Sequence, residues 1–357
     1  MKTSIFVVMD ELNSKIIIEN YKILQKQFFK LGLDIAQFSI VEDLLGVDYK
    51  SFGTGLKVFI EDEDKKASQL LVPLNKMDDL GNGVFASAEN NMIVINKLML
   101  ESMDDLKNVV SDVLKINYDN FSIKCFGIDE DNLHKYLKEF KNSNNVFDYF
   151  SQTEYGDSLV IFRFLSSVGD NIKDGIVSMF VKDLKDAFYA SKDVSLSRAA
   201  FEILTLRKIK ISTAESFTSG QVANTIIREN AGASAIIEDA YIVYSDSVKH
   251  NVIGVENATL QKYTAVSAET AYEMVTGLLT KSSCDIAIAT TGYANHSDPQ
   301  LSGLFFTAVG DNVAVHVYKH KIGGDRDFVI RYGANVAIFE LIKKLRQNAL
   351  NITNFAV

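Results

Sequence analysis

The sequence contains very little cysteine and proline and no tryptophan. Its 357 residues include 2 cysteines and 2 prolines. Cys125 and Cys284 lie far apart and form no Cys-x-x-Cys pair, so a disulfide framework and a structural zinc site have no support. Because only Pro73 and Pro299 interrupt the chain, we expect continuous helices and strands with few rigid linkers.

Long apolar runs and an excess of basic charge are also absent. No run reaches the ~18 apolar residues of a membrane helix, and the first residues lack the apolar stretch of a signal peptide. The formal net charge of -9 argues against broad binding to nucleic acid or an anionic membrane. We therefore expect a soluble, cytoplasmic protein without a nucleic-acid or membrane partner.

Length and patterning predict an α/β protein of several domains. With 47% hydrophobic residues in 357, the chain can bury two or three cores. Residues 1–117 begin with β-α-β order, which predicts an α/β layer. Residues 118–192 predict a small α+β connector, and residues 193–357 alternate strands and helices as a second α/β layer.

One turn in the third segment is a candidate site for covalent chemistry. A predicted strand, Ile209–Thr213, runs through the polar stretch Ala214–Gly220 into a predicted helix. Ser216 would therefore lie beside unpaired backbone N–H groups that can stabilise negative charge. A helix N-cap is the alternative interpretation, and a nucleophilic serine also needs a base.

Lysine is a better candidate for that base than histidine. None of the five histidines is suitably placed, and His316 and His320 alternate on one strand where we expect exposure to solvent. Lys249 follows the predicted buried strand Ala240–Tyr244. Burial lowers the pKa of a lysine, which would make Lys249 a base, whereas an ordinary surface lysine is the alternative.

Five ordered motifs resemble the CinA (competence/damage-inducible protein) family. The run Ala-Glu-Ser-Phe-Thr-Ser-Gly at 214–220 resembles A-E-S-C-T-G-G of the CinA C-terminal domain, a nicotinamide-nucleotide amidase. The other matches, over about Leu196–Leu345, are Ala231–Ser234 on P-G-S-S, Tyr244–Lys249 on Y-S-N-x-x-K, Thr291-Gly292 with Gly303, and Gly324-Asp325-Arg326 on G-D-R.

The resemblance implies hydrolysis of the carboxamide of nicotinamide mononucleotide to nicotinate mononucleotide and ammonia. It implies catalysis by Ser216, Lys249 and Tyr244 without metal or cofactor, and it implies a homo-oligomer. The implied substrate-binding residues are Thr218, Ser219, Gly220, Ser234, Thr291, Gly292 and Arg326. The alternative is a weakened or inactive member that binds nucleotide or serves in assembly.

The chain departs from the family's pattern at both ends. Upstream, residues 1–117 resemble a degenerate molybdopterin-binding-like domain whose glycine-rich loop is replaced by the acidic run Glu61–Asp64, so we expect no nucleotide pyrophosphatase activity. Downstream, side chains stand where the family has cysteine or glycine. These positions are Phe217, Ser219 and Asp239-Ala240, and the family's T-G-x-A-G-P-x-G-G loop, which reads Thr291–Pro299 here, has lost three of its glycines.

Overall fold

The structure is a computed structural model that describes most of the chain. The described residues are 2–8, 21–41, 55–61, 66–75, 77–80, 84–87, 92–96 and 117–354. Most of the acidic run Glu61–Asp64, residues 62–64, lies outside them. No helix among the described residues combines the length and apolar character needed to cross a membrane.

The described part of the first segment forms a six-stranded mixed sheet, in the order β2-β1-β3-β6-β5-β4. Strands β2, β1, β3 and β6 run parallel, and β5 and β4 are antiparallel additions. The strands are β1 (Lys2–Val8), β2 (Asp34–Val41), β3 (Leu56–Glu61), β4 (Asp78–Asp79), β5 (Val84–Ser87) and β6 (Met92–Asn96). The described helices are α1 (Tyr21–Lys30) and α2 (Lys66–Asn75).

A second sheet, described within residues 117–190, has four strands in the order β10-β7-β9-β8. The strands are β7 (Tyr118–Phe126), β8 (Phe147–Glu154), β9 (Asp157–Leu165) and β10 (Phe188–Ala190). The helices beside them in the chain are α3 (Glu130–Asn144) and α4 (Asp170–Leu184). Strand β9 is buried along most of its length, as expected for its apolar sequence.

A third sheet, described within residues 193–354, has five strands in the order β12-β11-β13-β14-β15. Strands β12, β11 and β13 run parallel, while β14 and β15 are antiparallel. The strands are β11 (Ile211–Glu215), β12 (Ile237–Ile242), β13 (Ile286–Gly292), β14 (Leu304–Gly310) and β15 (Val315–Lys321). The three sheets confirm the expected mixed α/β, multi-domain fold.

Helices cover both faces of the third sheet. They are α5 (Leu196–Arg207), α6 (Gln221–Glu229), α7 (Asp246–Ile253), α8 (Asn257–Tyr263), α9 (Ala268–Lys281) and α10 (Arg326–Asn354). One core joins α5, α6 and α10 to the sheet, and another joins α7, α8 and α9 to it. Serine N-caps fix three helix starts, with Ser195, Ser245 and Ser267 each accepting a backbone N–H of the first turn.

Packing divides the chain into two compact units. The first comprises Met1–Phe121, Glu139–Phe150 and Ile161–Ser178, and the second comprises Ser122–Lys138, Ser151–Val160 and Met179–Val357. The three predicted domains, with boundaries at residues 118 and 193, stay a prediction.

Each unit contains a contact that joins segments distant in the sequence. In the first, the buried guanidinium of Arg163 donates to the carbonyl of Phe29 at 2.7 Å and pairs with Asp148 at 3.0 Å. In the second, the ring of Phe126 lies 4.9 Å from the ring of Phe339 and 5.7 Å from that of Tyr332, both on α10.

Candidate active site

Ser216 lies where the central strand β11 ends. The N–H of Ser216 donates to the carbonyl of Thr290 on β13 at 2.9 Å, and its own carbonyl accepts the N–H of Ser219 at 3.2 Å. Gly220 then takes a left-handed φ of +89°, which glycine adopts without steric cost, and α6 begins. The serine is thus held at the carboxyl edge of the parallel strands, where sites in α/β sheets usually lie.

The structure brings Lys249 to Ser216. Lys249 Nζ lies 3.1 Å from Ser216 Oγ, and the lysine side chain is 1% exposed. The same Nζ donates to the carbonyl of Val243 at 3.0 Å and to the carbonyl of Tyr244 at 3.1 Å. The pair predicted from sequence is therefore in direct, buried contact.

The surroundings of Lys249 favour its neutral form. Burial lowers the pKa of the ammonium below its ordinary value of 10.5, and the carboxylate of Asp246 opposes this in part. Within the described chain Lys249 forms no ion pair. A neutral amine has two hydrogens and one lone pair, so donation to the two carbonyls leaves the lone pair for the hydroxyl hydrogen of Ser216. This is the arrangement that a general base requires.

Two buried residues outside the predicted set, Glu215 and Thr290, hold the turn in place together with the predicted Thr218. The carboxylate of Glu215 accepts the N–H of Val222 at 3.0 Å and that of Ala223 at 2.9 Å. It also accepts the hydroxyl of Thr218 at 2.7 Å, and Thr218 lies 2.6 Å from the hydroxyl of Thr290. Glu215 therefore satisfies the first turn of α6, where a negative charge is favoured.

The same turn offers donors for an oxyanion. Phe217 and Thr218 follow the serine, and their backbone N–H groups donate no hydrogen bond to any acceptor in the described chain. Free N–H groups directly after a serine nucleophile are suited to hold a tetrahedral oxyanion.

The other predicted residues divide into two groups. Tyr244 reaches Lys249 through its backbone carbonyl, while its side chain is 64% exposed. The hydroxyl of Thr291 donates to the carbonyl of Ala265 at 2.5 Å, and Gly292 packs against Phe305, which leaves no space for a side chain. These residues line the sheet edge beside Ser216.

Ser219, Ser234 and Arg326 are exposed, and none of their side chains has a hydrogen bond to Ser216 or Lys249 in the described chain. Ser234 is part of a short 3₁₀ turn at Ala233–Ala235, and Arg326 is the first residue of α10. Ser219 has a φ of +53°, so it occupies a backbone position that favours glycine, the residue present in the resembling family. The substrate-binding roles of these three residues stay predictions.

In the part of the chain that is described, no group of three His, Cys, Asp or Glu side chains is placed to hold a metal ion. The expectation of an exposed His320 is wrong. Its ring is half-buried and stacks on Phe305, with the centroids 4.9 Å apart, because that strand position faces the core. Burial lowers the pKa of His320 to about 4, with a contribution from the charge of Lys343.

Together these features define an α/β domain with a buried serine–lysine pair at the carboxyl edge of its parallel strands. The family model of the CinA C-terminal domain matches residues 193–345. Residues 193–345 are thus identified as a CinA C-terminal domain, as the sequence motifs predict.

Similar proteins carry related names. A competence-damage inducible protein of Clostridium beijerinckii is 35% identical over 165 residues, which cover 45% of this chain and 40% of the relative. A CinA-like protein of Fusobacterium nucleatum is 28% identical over 256 residues, 68% of this chain and 62% of the relative. The chain thus spans less than two thirds of the curated relatives it matches.

A solved structure is also similar to part of this chain. It is a CinA superfamily protein from Klebsiella pneumoniae, 30% identical, with a TM-score of 0.41 over 43% of this chain and 96% of that chain.

Proposed function

We propose that the C-terminal domain is an amidohydrolase that converts nicotinamide mononucleotide to nicotinate mononucleotide and ammonia. The observation that carries the proposal is the 3.1 Å contact between a buried Lys249 Nζ and Ser216 Oγ. The substrate itself is the one implied by the resemblance to CinA amidases.

The chemistry follows from the positions of the two side chains. Neutral Lys249 takes the hydroxyl proton as Ser216 Oγ attacks the amide carbon of the substrate. The N–H groups of Phe217 and Thr218 stabilise the resulting oxyanion, each by about 3 kcal/mol. The ammonium of Lys249 then returns the proton to the departing nitrogen, which leaves as ammonia, and water hydrolyses the acyl-enzyme.

A nucleotide-binding role without turnover is the second candidate. This candidate is favoured by the replacement of family glycines with residues that carry side chains. Ser219 is exposed in the turn after Ser216, and Asn295, Asp298 and Pro299 stand at the family's glycine positions in the loop after β13.

We also propose that the N-terminal segment has lost the pyrophosphatase activity implied for its family. Its Glu61 is 2% exposed and accepts the N–H of Ser68, in the first turn of α2, at 2.8 Å. A carboxylate thus occupies a helix N-terminus that could otherwise bind a phosphate. We expect the full chain to leave ADP-ribose intact.

Purified protein is incubated with nicotinamide mononucleotide while ammonia is measured. We expect release that falls by about 10³-fold or more in Ser216→Ala and in Lys249→Met. Lys281→Met is the matched control, because this exposed lysine also donates to a backbone carbonyl, that of Val252. Binding of the nucleotide without any ammonia would support the second candidate, and full activity in Ser216→Ala would refute the assigned nucleophile.

Cytoplasmic location, self-association and the lack of nucleic-acid and membrane partners complete the proposal. They rest on the sequence and on the family resemblance.

A further inference from the structure

The residue after the nucleophile is anchored in the core. The side chain of Phe217 is 3% exposed. Its ring lies 5.0 Å from the ring of Phe305 on β14, and the ring of Phe305 in turn stacks on His320. Where the resembling family has a small cysteine, this chain therefore buries a large ring.

Gly333 of α10 provides the space for that ring. A Cβ at Gly333 would lie 2.4 Å from Cζ and 2.7 Å from Cε2 of Phe217, far inside normal contact distance. Glycine weakens a helix interior, and Gly333 lies well inside the 29 residues of α10. Its presence there is explained by the close approach of the Phe217 ring.

Both central residues of the nucleophile's turn are fixed by their side chains. The ring of Phe217 is held between Gly333 and Phe305, and the hydroxyl of Thr218 is held by Glu215. The backbone N–H groups of these two residues donate to no acceptor in the described chain. A displacement of the ring therefore moves a donor and the adjoining Ser216 together.

We propose that Phe217 is a positioning residue for Ser216 and its oxyanion donors, and that it works only as a matched pair with Gly333. The pair replaces the small residue of the family motif and sets the geometry of the turn from α10. This inference rests on the proposed amidase function for its kinetic readout.

The test compares ammonia release from nicotinamide mononucleotide by full-length variants. Gly333→Ala should lower kcat by about 10- to 100-fold with KM changed less than about twofold, because a misplaced turn affects the transition state more than binding. Phe217→Leu/Gly333→Ala, which shortens the ring to make room for the methyl group, should recover kcat to within about fivefold of wild type. Gly175→Ala is the control, since a Cβ at this helical glycine meets nothing within 4 Å.

Labelling of Ser216 by a fluorophosphonate probe separates this inference from the proposed function. If the wild type releases no ammonia but is labelled, the amidase proposal fails, and the labelling rates should show the same loss and recovery. An unchanged kcat and labelling rate in Gly333→Ala overturns the inference. A loss of kcat in Gly333→Ala that the double variant does not recover also overturns the inference. If the probe does not label Ser216 in the wild type, both proposals are overturned. Thermal unfolding of each variant identifies any loss that follows from unfolding alone.

Discussion

The hydroxyl of Thr218 donates to the carboxylate of Glu215 across 2.7 Å, in a site that solvent does not reach. Glu215 is the last residue of β11, and the same carboxylate accepts two N–H groups of α6. The buried carboxylate of Glu215 thus joins β11, the turn that follows Ser216 and α6.

Replacing that carboxylate should destabilise the fold. In Glu215→Gln, an NH₂ group faces hydrogen-bond donors, so we expect the free energy of unfolding to fall by about 2 kcal/mol and ammonia release to fall with it. Urea denaturation measures the change. Glu238→Gln removes an exposed partner of Lys210 and should change stability by less than about 0.5 kcal/mol. Equal losses in the two variants would contradict the role assigned to Glu215.

The pH dependence of activity should report Lys249. Only the neutral amine accepts the serine proton, so kcat/KM should rise with pH through an inflection below the ordinary lysine value of 10.5. The carboxylate of Asp246 raises the pKa of Lys249, so Asp246→Asn should move the inflection to lower pH. Glu269→Gln, on α9, should leave it in place. An inflection that moves upward in Asp246→Asn would refute Lys249 as the titrating base.

Two exposed serines should respond to glycine in opposite directions. Ser219 has a φ of +53°, so Ser219→Gly relieves backbone strain and should raise the free energy of unfolding by about 0.5 to 1 kcal/mol. Ser234 is not among the residues with positive φ, so Ser234→Gly should lower it by a similar amount. Thermal melts of the two variants provide the comparison, and a loss of stability in Ser219→Gly would contradict the strain argument.

His320 should make stability sensitive to mild acid. The pKa of its imidazole is about 4 in the folded protein and 6.5 ordinarily, so between these values the unfolded chain binds a proton that the folded chain does not. Stability should therefore decrease as pH falls from 6.5 to 4, by roughly 2 to 3 kcal/mol at most. His320→Phe should flatten the melting temperature over this range. His316→Gln, at an exposed position of the same strand, should leave the slope unchanged.

Local patterns predicted the order of elements better than their exact places. The helix predicted over Leu196–Leu206 is observed at Leu196–Arg207. The buried strand predicted over Ala240–Tyr244 lies at Ile237–Ile242 instead, where its side chains alternate in exposure because β12 is an edge strand. Periodicity does not reveal which strand ends a sheet.

The sequence motifs located Ser216 and Lys249 but not the residues that support them. Thr290 lies 74 positions from Ser216, and only the pairing of β11 with β13 brings its carbonyl to the serine N–H. Glu215 ends the buried central strand β11, and a buried carboxylate needs hydrogen-bond partners. Long-range pairing, which local sequence does not encode, supplied those partners.

The aromatic contact made by Phe126 has a consequence for dissecting this chain. Its ring lies against Tyr332 and Phe339 on the long final helix, and the absence of a side chain at Gly156 leaves room for the rings of Tyr332 and Phe126. A fragment starting at residue 193 would expose the rings of Tyr332 and Phe339 to water. These rings would form an aggregation-prone apolar patch on α10, the helix that also carries Gly333. Shortening the chain to residues 193–357 thus calls for polar replacements of Tyr332 and Phe339.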